Sequence, residues 1–228
     1  MQKKILLASE KFLDDLRKEL QPIRKKILTH PFVGGVERGK TSIKSLQFFT
    51  RQQFHIVSGD FRNLALYIAF SPNQKIRDFF LHLIDGERSA LDNLFRMAKA
   101  LELSTNELVN SEPHAGSLAF TNYFTRLATY GSPGETASSI ILDFEVWGEN
   151  CHRISKGLKK HYGLTSEDTK FLDGFYPIGS EFYSSTLSII GEYIRMEGNK
   201  RKMKTAARLA LDYELMFWDT MHNYKEKI

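Results

Sequence analysis

Hydrophobic positions recur along the chain with the spacing of α-helices, and no run of alternating apolar residues is bounded by hairpin signals. The pattern predicts helices joined by short turns. They are residues 5–28, 42–70, 73–101, 105–110, 115–130, 134–161, 166–173, 179–196 and 200–224. Because no connection is long enough to separate two units, we expect one all-α domain over residues 1–228.

Three helix starts carry a side-chain signature. Ser71 precedes Gln74 by three positions, and Ser104 and Ser132 precede Glu107 and Glu135 in the same way. A serine followed three residues later by a glutamate or glutamine is typical of a capping box, in which the two residues satisfy backbone N–H groups at the helix start. The pattern therefore predicts where the third, fourth and sixth helices begin.

Gln53 and Asp60 interrupt the apolar stripe of the second predicted helix. Buried polar groups need hydrogen-bond partners of some kind. The two side chains could find such partners in a seam between helices, or they could contact a ligand. Both interpretations remain open from the sequence.

Two carboxylates lie beside apolar stripes. At 100° per residue, Asp143 and Glu214 each lie about 60° from the centre of the stripe of their helix. Helical spacing makes Ala210, Phe217 and Trp218 the neighbours of Glu214. Burial would raise the pKa of such a carboxyl group and suit it to acid/base chemistry, whereas a salt bridge to an Arg or Lys is the structural alternative.

Composition narrows the classes of protein. The chain has 228 residues, of which 42% are hydrophobic and 26% charged, as in ordinary globular proteins. It has no apolar run long enough to span a membrane, and its start lacks the cleavage site of a signal peptide. We therefore expect a cytoplasmic protein that does not bind a membrane. Cys151 is the only cysteine, which excludes an internal disulfide and a cysteine-rich zinc site.

The formal net charge of +5 gives no clear binding face. Basic residues are spread along the chain, and the densest cluster, residues 200–204, is short. Nothing resembles a helix-turn-helix, so we do not expect nucleic-acid binding.

Four segments carry a resemblance to a known family. Residues 30–33 read His-Pro-Phe-Val, residues 48–53 read Phe-Phe-Thr-Arg-Gln-Gln, residues 120–126 read Phe-Thr-Asn-Tyr-Phe-Thr-Arg, and residues 214–218 read Glu-Leu-Met-Phe-Trp. Their order and spacing resemble the TenA family. The resemblance implies the heme-oxygenase-like helical bundle shared with PqqC and CADD-like diiron oxidases, and assembly as a homo-oligomer.

The resemblance also implies roles for individual residues, with departures from the family pattern. Glu214 and Phe217 match the glutamate and phenylalanine of the family's terminal helix. Gln53 occupies the position of a family aspartate, and Phe120 that of a family tyrosine. The catalytic cysteine of pyrimidine-hydrolysing members falls at Asp143. Because that thiol is the nucleophile, we do not expect hydrolysis by the usual mechanism.

No metal and no cofactor are expected. The diiron relatives need Glu and His ligands, but Asp85, Glu87 and Asp92 have no suitably spaced histidine, and residues 178–196 contain none. His30 belongs to a turn that family members without heme also carry, so no proximal heme ligand can be assigned.

The leading hypothesis is a pocket that binds a small cyclic or aromatic molecule. Glu214 and Asp143 would transfer protons or donate hydrogen bonds, which fits metal-free acid/base chemistry, cofactorless oxidation or binding alone. The predicted ligand-binding residues are Phe49, Gln53, Phe120, Trp147 and Phe217.

Two other hypotheses belong to different functional classes. One is a regulatory or interaction protein without catalysis. The other is a metal-dependent oxidase with unusual ligands, such as Asp85, Asp92 and Asp143.

Overall fold

The computed structural model describes residues 2–196 and 198–225, in which no β-strand occurs. The all-α prediction is therefore confirmed for this part of the chain. The helices are α1 (Gln2–Glu19), α2 (Gln21–Leu28), α3 (Pro31–Glu37), α4 (Ile43–Ala69), α5 (Gln74–Ala100), α6 (Thr105–Val109), α7 (Ala115–Tyr130), α8 (Pro133–His161), α9 (Lys170–Asp173), α10 (Ser180–Tyr193) and α11 (Asn199–Asn223).

The prediction of a single helix over residues 5–28 is wrong. The chain instead breaks at Leu20 and begins α2 at Gln21, with Pro22 in the first turn of the new helix. Proline has no backbone N–H, and its ring would clash with the carbonyl oxygen four residues earlier in a continuous helix. The same residue is well tolerated in a first turn, where that N–H has no helical partner.

Helix α3 is an element that the hydrophobic pattern did not predict. His30 caps its start by accepting a hydrogen bond at Nδ1 from the backbone N–H of Phe32 at 3.3 Å, and Pro31 takes the first helical position. The helix has 7 residues, too few to show a helical period. The helix predicted over residues 166–173 is likewise shorter, because only Lys170–Asp173 is α-helical.

Two of the three predicted capping boxes are present. The box predicted at Ser71 is wrong, because α5 is capped by Asn73, whose Oδ1 accepts a hydrogen bond from the backbone N–H of Ile76 at 3.0 Å. The backbone N–H of Ser104 donates to Glu107 Oε2 at 2.9 Å, and that of Ser132 donates to Glu135 Oε2 at the same distance, 2.9 Å. The second box fixes the start of α8, the 29-residue helix that carries Asp143.

Helix α8 is the centre of the bundle. It packs most extensively against α11 and also contacts α10, α3 and α2, while α4 packs against α5 and α7. The main apolar core runs through these helices, and a small second cluster is formed by Ala98, Leu103 and Leu108. No described helix has the length and apolarity needed to cross a membrane.

The close approach of α3 to α8 predicts a specific effect of Gly157→Ala on stability. A Cβ atom at position 157 would lie 2.6 Å from the backbone oxygen of Val36, so the helices must separate. We expect a loss of roughly 1–3 kcal/mol in the free energy of unfolding, measured by urea denaturation.

Gly86→Ala is the matched control. Gly86 lies within α5, and a Cβ atom there would meet nothing within 4 Å. Alanine should therefore stabilise the helix by about 0.5–1 kcal/mol. Equal stability of the Gly157→Ala variant and the unmodified protein would contradict the packing described.

Candidate functional site

A two-lobed cavity lies between α4, α5, α7, α8 and α11. The Glu214 lobe has a volume of about 60 Å³, and the Tyr67 lobe about 70 Å³. Five side chains border both lobes: Asp60, Glu87, Phe120, Asp143 and Phe144. The Glu214 lobe adds Gln53, Ile56, Val57, Trp147, Phe175, Glu214 and Phe217, and the Tyr67 lobe adds Asn63, Leu64, Tyr67, Leu83, Phe124 and Ile140.

Six of the seven predicted site residues border the Glu214 lobe. Phe49 does not border either lobe. Its ring lies behind the aromatic wall, with its centroid 6.4 Å from that of Trp147 and 6.0 Å from that of Phe217. Phe49 can therefore support the wall, but it does not face the cavity. The six bordering residues are Gln53, Phe120, Asp143, Trp147, Glu214 and Phe217.

Asp143 and Glu214 face each other from the two helices that pack most closely, α8 and α11. Each residue is only 3% exposed. Glu214 Oε1 accepts a hydrogen bond from Trp218 Nε1 at 2.7 Å, one turn along α11. Asp143 Oδ1 is buried without a hydrogen-bond partner among the described residues. An orphaned buried oxygen is costly, so this atom is suited to a ligand that donates a hydrogen bond.

The two carboxyl groups titrate as a pair. Burial raises the pKa of Glu214 to about 8, although hydrogen bonds from Trp218 and Asp143 favour its charged form. Burial and then the negative charge of Glu214 raise the pKa of Asp143 well above its usual value. Burial therefore favours the protonated form of both carboxyl groups, and their protons are bound by the pair rather than by one residue alone.

Asp60 and Glu87 are further acidic residues of the cavity. Asp60 Oδ1 accepts hydrogen bonds from Thr121 Oγ1 at 2.6 Å and from Asn63 Nδ2 at 3.1 Å. Burial raises the pKa of Asp60 to about 6. Glu87 Oε2 is buried without a partner among the described residues, and burial, followed by the charge of Asp60, raises the pKa of Glu87 to about 8.

The sequence pattern indicated Asp60 as a possible ligand contact, but Glu87 was not predicted to line the pocket. The signal was present, because Phe80, Leu83, Glu87 and Leu94 follow one another at helical spacing on α5. Glu87 therefore interrupts an apolar stripe, as Asp60 does on α4.

The donor set of the cavity does not fit a metal centre or a heme. No cluster of three His, Cys, Asp or Glu side chains in the described part of the chain could hold a metal ion. Asp85 and Asp92, candidates for an unusual metal site, are exposed on α5 and do not border the cavity with Asp143. The described lining residues also include no histidine to bind heme iron.

Cys151 does not supply a nucleophile to the cavity. It lies two turns beyond Asp143 on α8, is completely buried and does not border either lobe. Burial raises the pKa of its thiol well above the usual value, which keeps it protonated and unreactive.

One curated relative has a recorded activity. An aminopyrimidine aminohydrolase of Halalkalibacterium halodurans is 31% identical over 131 residues, which cover 57% of this chain and 58% of that protein. The match thus spans a little over half of the relative's length.

Three solved structures illustrate the shared fold. A TenA homologue from P. horikoshii OT3 has 19% identity and a TM-score of 0.76, covering 92% of this chain and 97% of its own. A domain with a heme oxygenase-like fold from Shewanella denitrificans OS217 has 16% identity and a TM-score of 0.79, covering 92% and 91%. Heme oxygenase-1 of Synechocystis in complex with heme has 13% identity and a TM-score of 0.70, covering 93% of each chain.

These similarities confirm the heme-oxygenase-like fold, since alignment extends over nearly the whole length of each chain. The profile of the TENA/THI-4/PQQC family matches residues 17–224. The chain belongs to the TENA/THI-4/PQQC family.

Proposed function

We propose that the protein binds a small aromatic or cyclic molecule that carries a nitrogen, and that Asp143 and Glu214 exchange protons with it without a metal. The observation that carries this proposal is the buried carboxyl pair in a cavity walled by Trp147 and Phe217. Aromatic walls favour a planar ring and exclude water, while a few polar groups fix its orientation.

The carboxyl pair offers a proton donor and a proton acceptor side by side. When the pair holds a single proton, Asp143 would donate it to a ring nitrogen or a leaving group, while ionised Glu214 would accept a proton from an amino group or a water molecule. Two acids whose pKa values are separated by their surroundings are the usual arrangement for such paired roles. The orphaned Asp143 Oδ1 supports contact with a ligand N–H group.

An aminopyrimidine is the first candidate for this ligand. The relative from H. halodurans is described as an aminopyrimidine aminohydrolase, and such a ring has the shape and nitrogen groups that the cavity suits. Hydrolysis here would use water directly, since Asp143 stands where the resemblance implies a cysteine. The water oxygen would form a bond to the ring carbon that carries the amino group, while Glu214 takes a proton from the water. The bond from that carbon to the amino nitrogen would break, and Asp143 would protonate this nitrogen, which leaves as ammonia.

Glu214→Gln should weaken the binding of 4-aminopyrimidine by roughly tenfold or more, because a neutral amide replaces the strongest hydrogen-bond acceptor of the lobe. Isothermal titration calorimetry at about pH 8 measures this change. Glu10→Gln, which removes an exposed carboxylate of α1, should leave the affinity unchanged. An unaltered dissociation constant in the Glu214 variant would refute the proposed role.

The raised pKa of Glu214 also predicts how thermal stability changes with pH. A carboxyl group with a higher pKa in the folded than in the unfolded state stabilises the fold while it is protonated. That stability is lost as pH rises from its unfolded value near 4.5 to about 8. The Tm should therefore fall over this range and fall less steeply in the Glu214→Gln variant.

Differential scanning fluorimetry at closely spaced pH values measures both slopes. Asp60 and Glu87 act with the same sign, so the variant should retain part of the decline. Parallel slopes for the two proteins would show that Glu214 does not titrate as described.

A further inference from the structure

We propose that the Tyr67 lobe is a second cation-binding subsite, in which Asp60 and Glu87 hold a second protonated nitrogen, so that the cavity selects a compact diamine. This inference rests on the proposed function, in which the Glu214 lobe takes the first nitrogen. It adds a binding role for two acids that the proton exchange at Asp143 and Glu214 does not use.

The described residues that border the cavity include acidic side chains but no basic ones. Four carboxyl groups border it, namely Asp60, Glu87, Asp143 and Glu214, and none of the described ion pairs includes any of them. The described lining residues include no Lys, Arg or His. Ionised carboxylates are costly in apolar surroundings without a cation or ample hydrogen bonds. A ligand with two positive charges would supply what the protein itself lacks there.

The acids form two pairs on different walls. Asp143 and Glu214 belong to α8 and α11, whereas Asp60 and Glu87 belong to α4 and α5. Asp143 is 3% exposed, borders both lobes and leaves Oδ1 without a partner in the described structure. Asp143 Oδ1 and Glu87 Oε2 are thus two buried oxygens without a described partner at the border of both lobes, which indicates that the cavity takes more than one hydrogen-bond donor.

Asp60 is held ready for a ligand. Thr121 and Asn63 both donate to its Oδ1, so the described contacts leave Oδ2 available. Asn63 is itself fixed, because its Oδ1 accepts a hydrogen bond from Thr125 Oγ1 at 2.6 Å. Glu87 borders the same lobe, and its Oε2 is buried without a described partner. An ammonium group has three donors and can satisfy both acids at once.

The surface between the two acidic pairs is apolar. Phe120 and Phe144 border both lobes, and Leu64 and Ile140 line the Tyr67 lobe. This arrangement suits a ring or a short hydrocarbon between the two nitrogens.

Glu87 can also be reached from the surface of the protein. A groove between α5 and α9 is bordered by Glu87, Leu83, Phe144 and Phe175, all of which also border the cavity. An approaching cation would therefore meet the Glu87 carboxyl group at the junction of groove and cavity. Lys170 and His82 also border the groove, and Lys170 is paired with Glu167 at 2.7 Å, so a preference for cations would come from the four carboxyl groups of the cavity.

The test compares two ligands that differ in one charged group. p-Xylylenediamine and 4-ethylbenzylamine have the same ring and chain lengths, but a methyl group replaces one ammonium group in the second compound. Titration calorimetry with the full-length protein at about pH 8 should give an affinity roughly tenfold or more higher for the diamine. The monoamine reports on the Glu214 lobe alone.

Variants locate the second charge. Glu87→Gln keeps the shape of the side chain and should remove the preference for the diamine over the monoamine. Asp60→Asn should act in the same direction. Asp85→Asn removes an exposed carboxylate two positions from Glu87 and should change neither affinity. Glu214→Gln should weaken both ligands. An unchanged far-ultraviolet circular dichroism spectrum, with one cooperative thermal transition in each variant, would show that the fold is retained.

The outcomes separate this inference from the proposed function. Equal affinities of the unmodified protein for both compounds would overturn the second subsite and leave the Glu214 lobe as proposed. A diamine preference that survives Glu87→Gln would also overturn it. Failure of both compounds to bind would overturn the two proposals together. Displacement of the diamine by stoichiometric Mn²⁺ would overturn the assignment to an organic cation.

Discussion

The burial of carboxyl groups without a basic partner is the constraint on which this structure depends. Asp143 and Glu214 lie among aromatic rings where water cannot solvate a charge, and no cation of the described chain faces them. Protons therefore take the place of counterions in the empty cavity. The same condition underlies the proposed acid/base role of the site and the kind of ligand that would stabilise it.

The scaffold around this site is rigid because its long helices have defined ends. Capping at Ser132 fixes the register of α8, and tight contact at Gly157 fixes the distance of α3 from α8. Trp218 both donates to Glu214 and stacks with Phe49, with 6.2 Å between ring centroids. Phe49, which does not face the cavity, thus holds the tryptophan that orients the carboxyl group. A site of this kind is determined by packing as much as by the residues that touch a ligand.

Local signals in the sequence were sufficient for most of the helices and for part of the site. Helical angles alone brought Asp143 and Glu214 toward the interior, and the serine capping boxes located two helix starts correctly. The break at Leu20 was missed because apolar spacing continues through Pro22, although proline chemistry forbids the continuous helix. Helix α3 was too short to show a period.

The second acidic pair could not be predicted in the same way. Asp60 and Glu87 are 27 positions apart, and their meeting depends on how α4 packs against α5 and on the common cavity with α8. Attention to metal ligands favoured Asp85 and Asp92, which share the helix of Glu87 but lie on its exposed face. Residue type was therefore a poorer guide than position relative to the apolar stripe, which Glu87 interrupts.

The sealed position of Cys151 has a consequence for the conditions under which the site can operate. Among the described side chains that border the cavity, none contains sulfur. Alkylating agents and peroxides act on exposed thiolates, and here the sole thiol is both enclosed and protonated. If carboxyl groups carry the chemistry of this pocket, as proposed, oxidants that modify a cysteine nucleophile find no such target there.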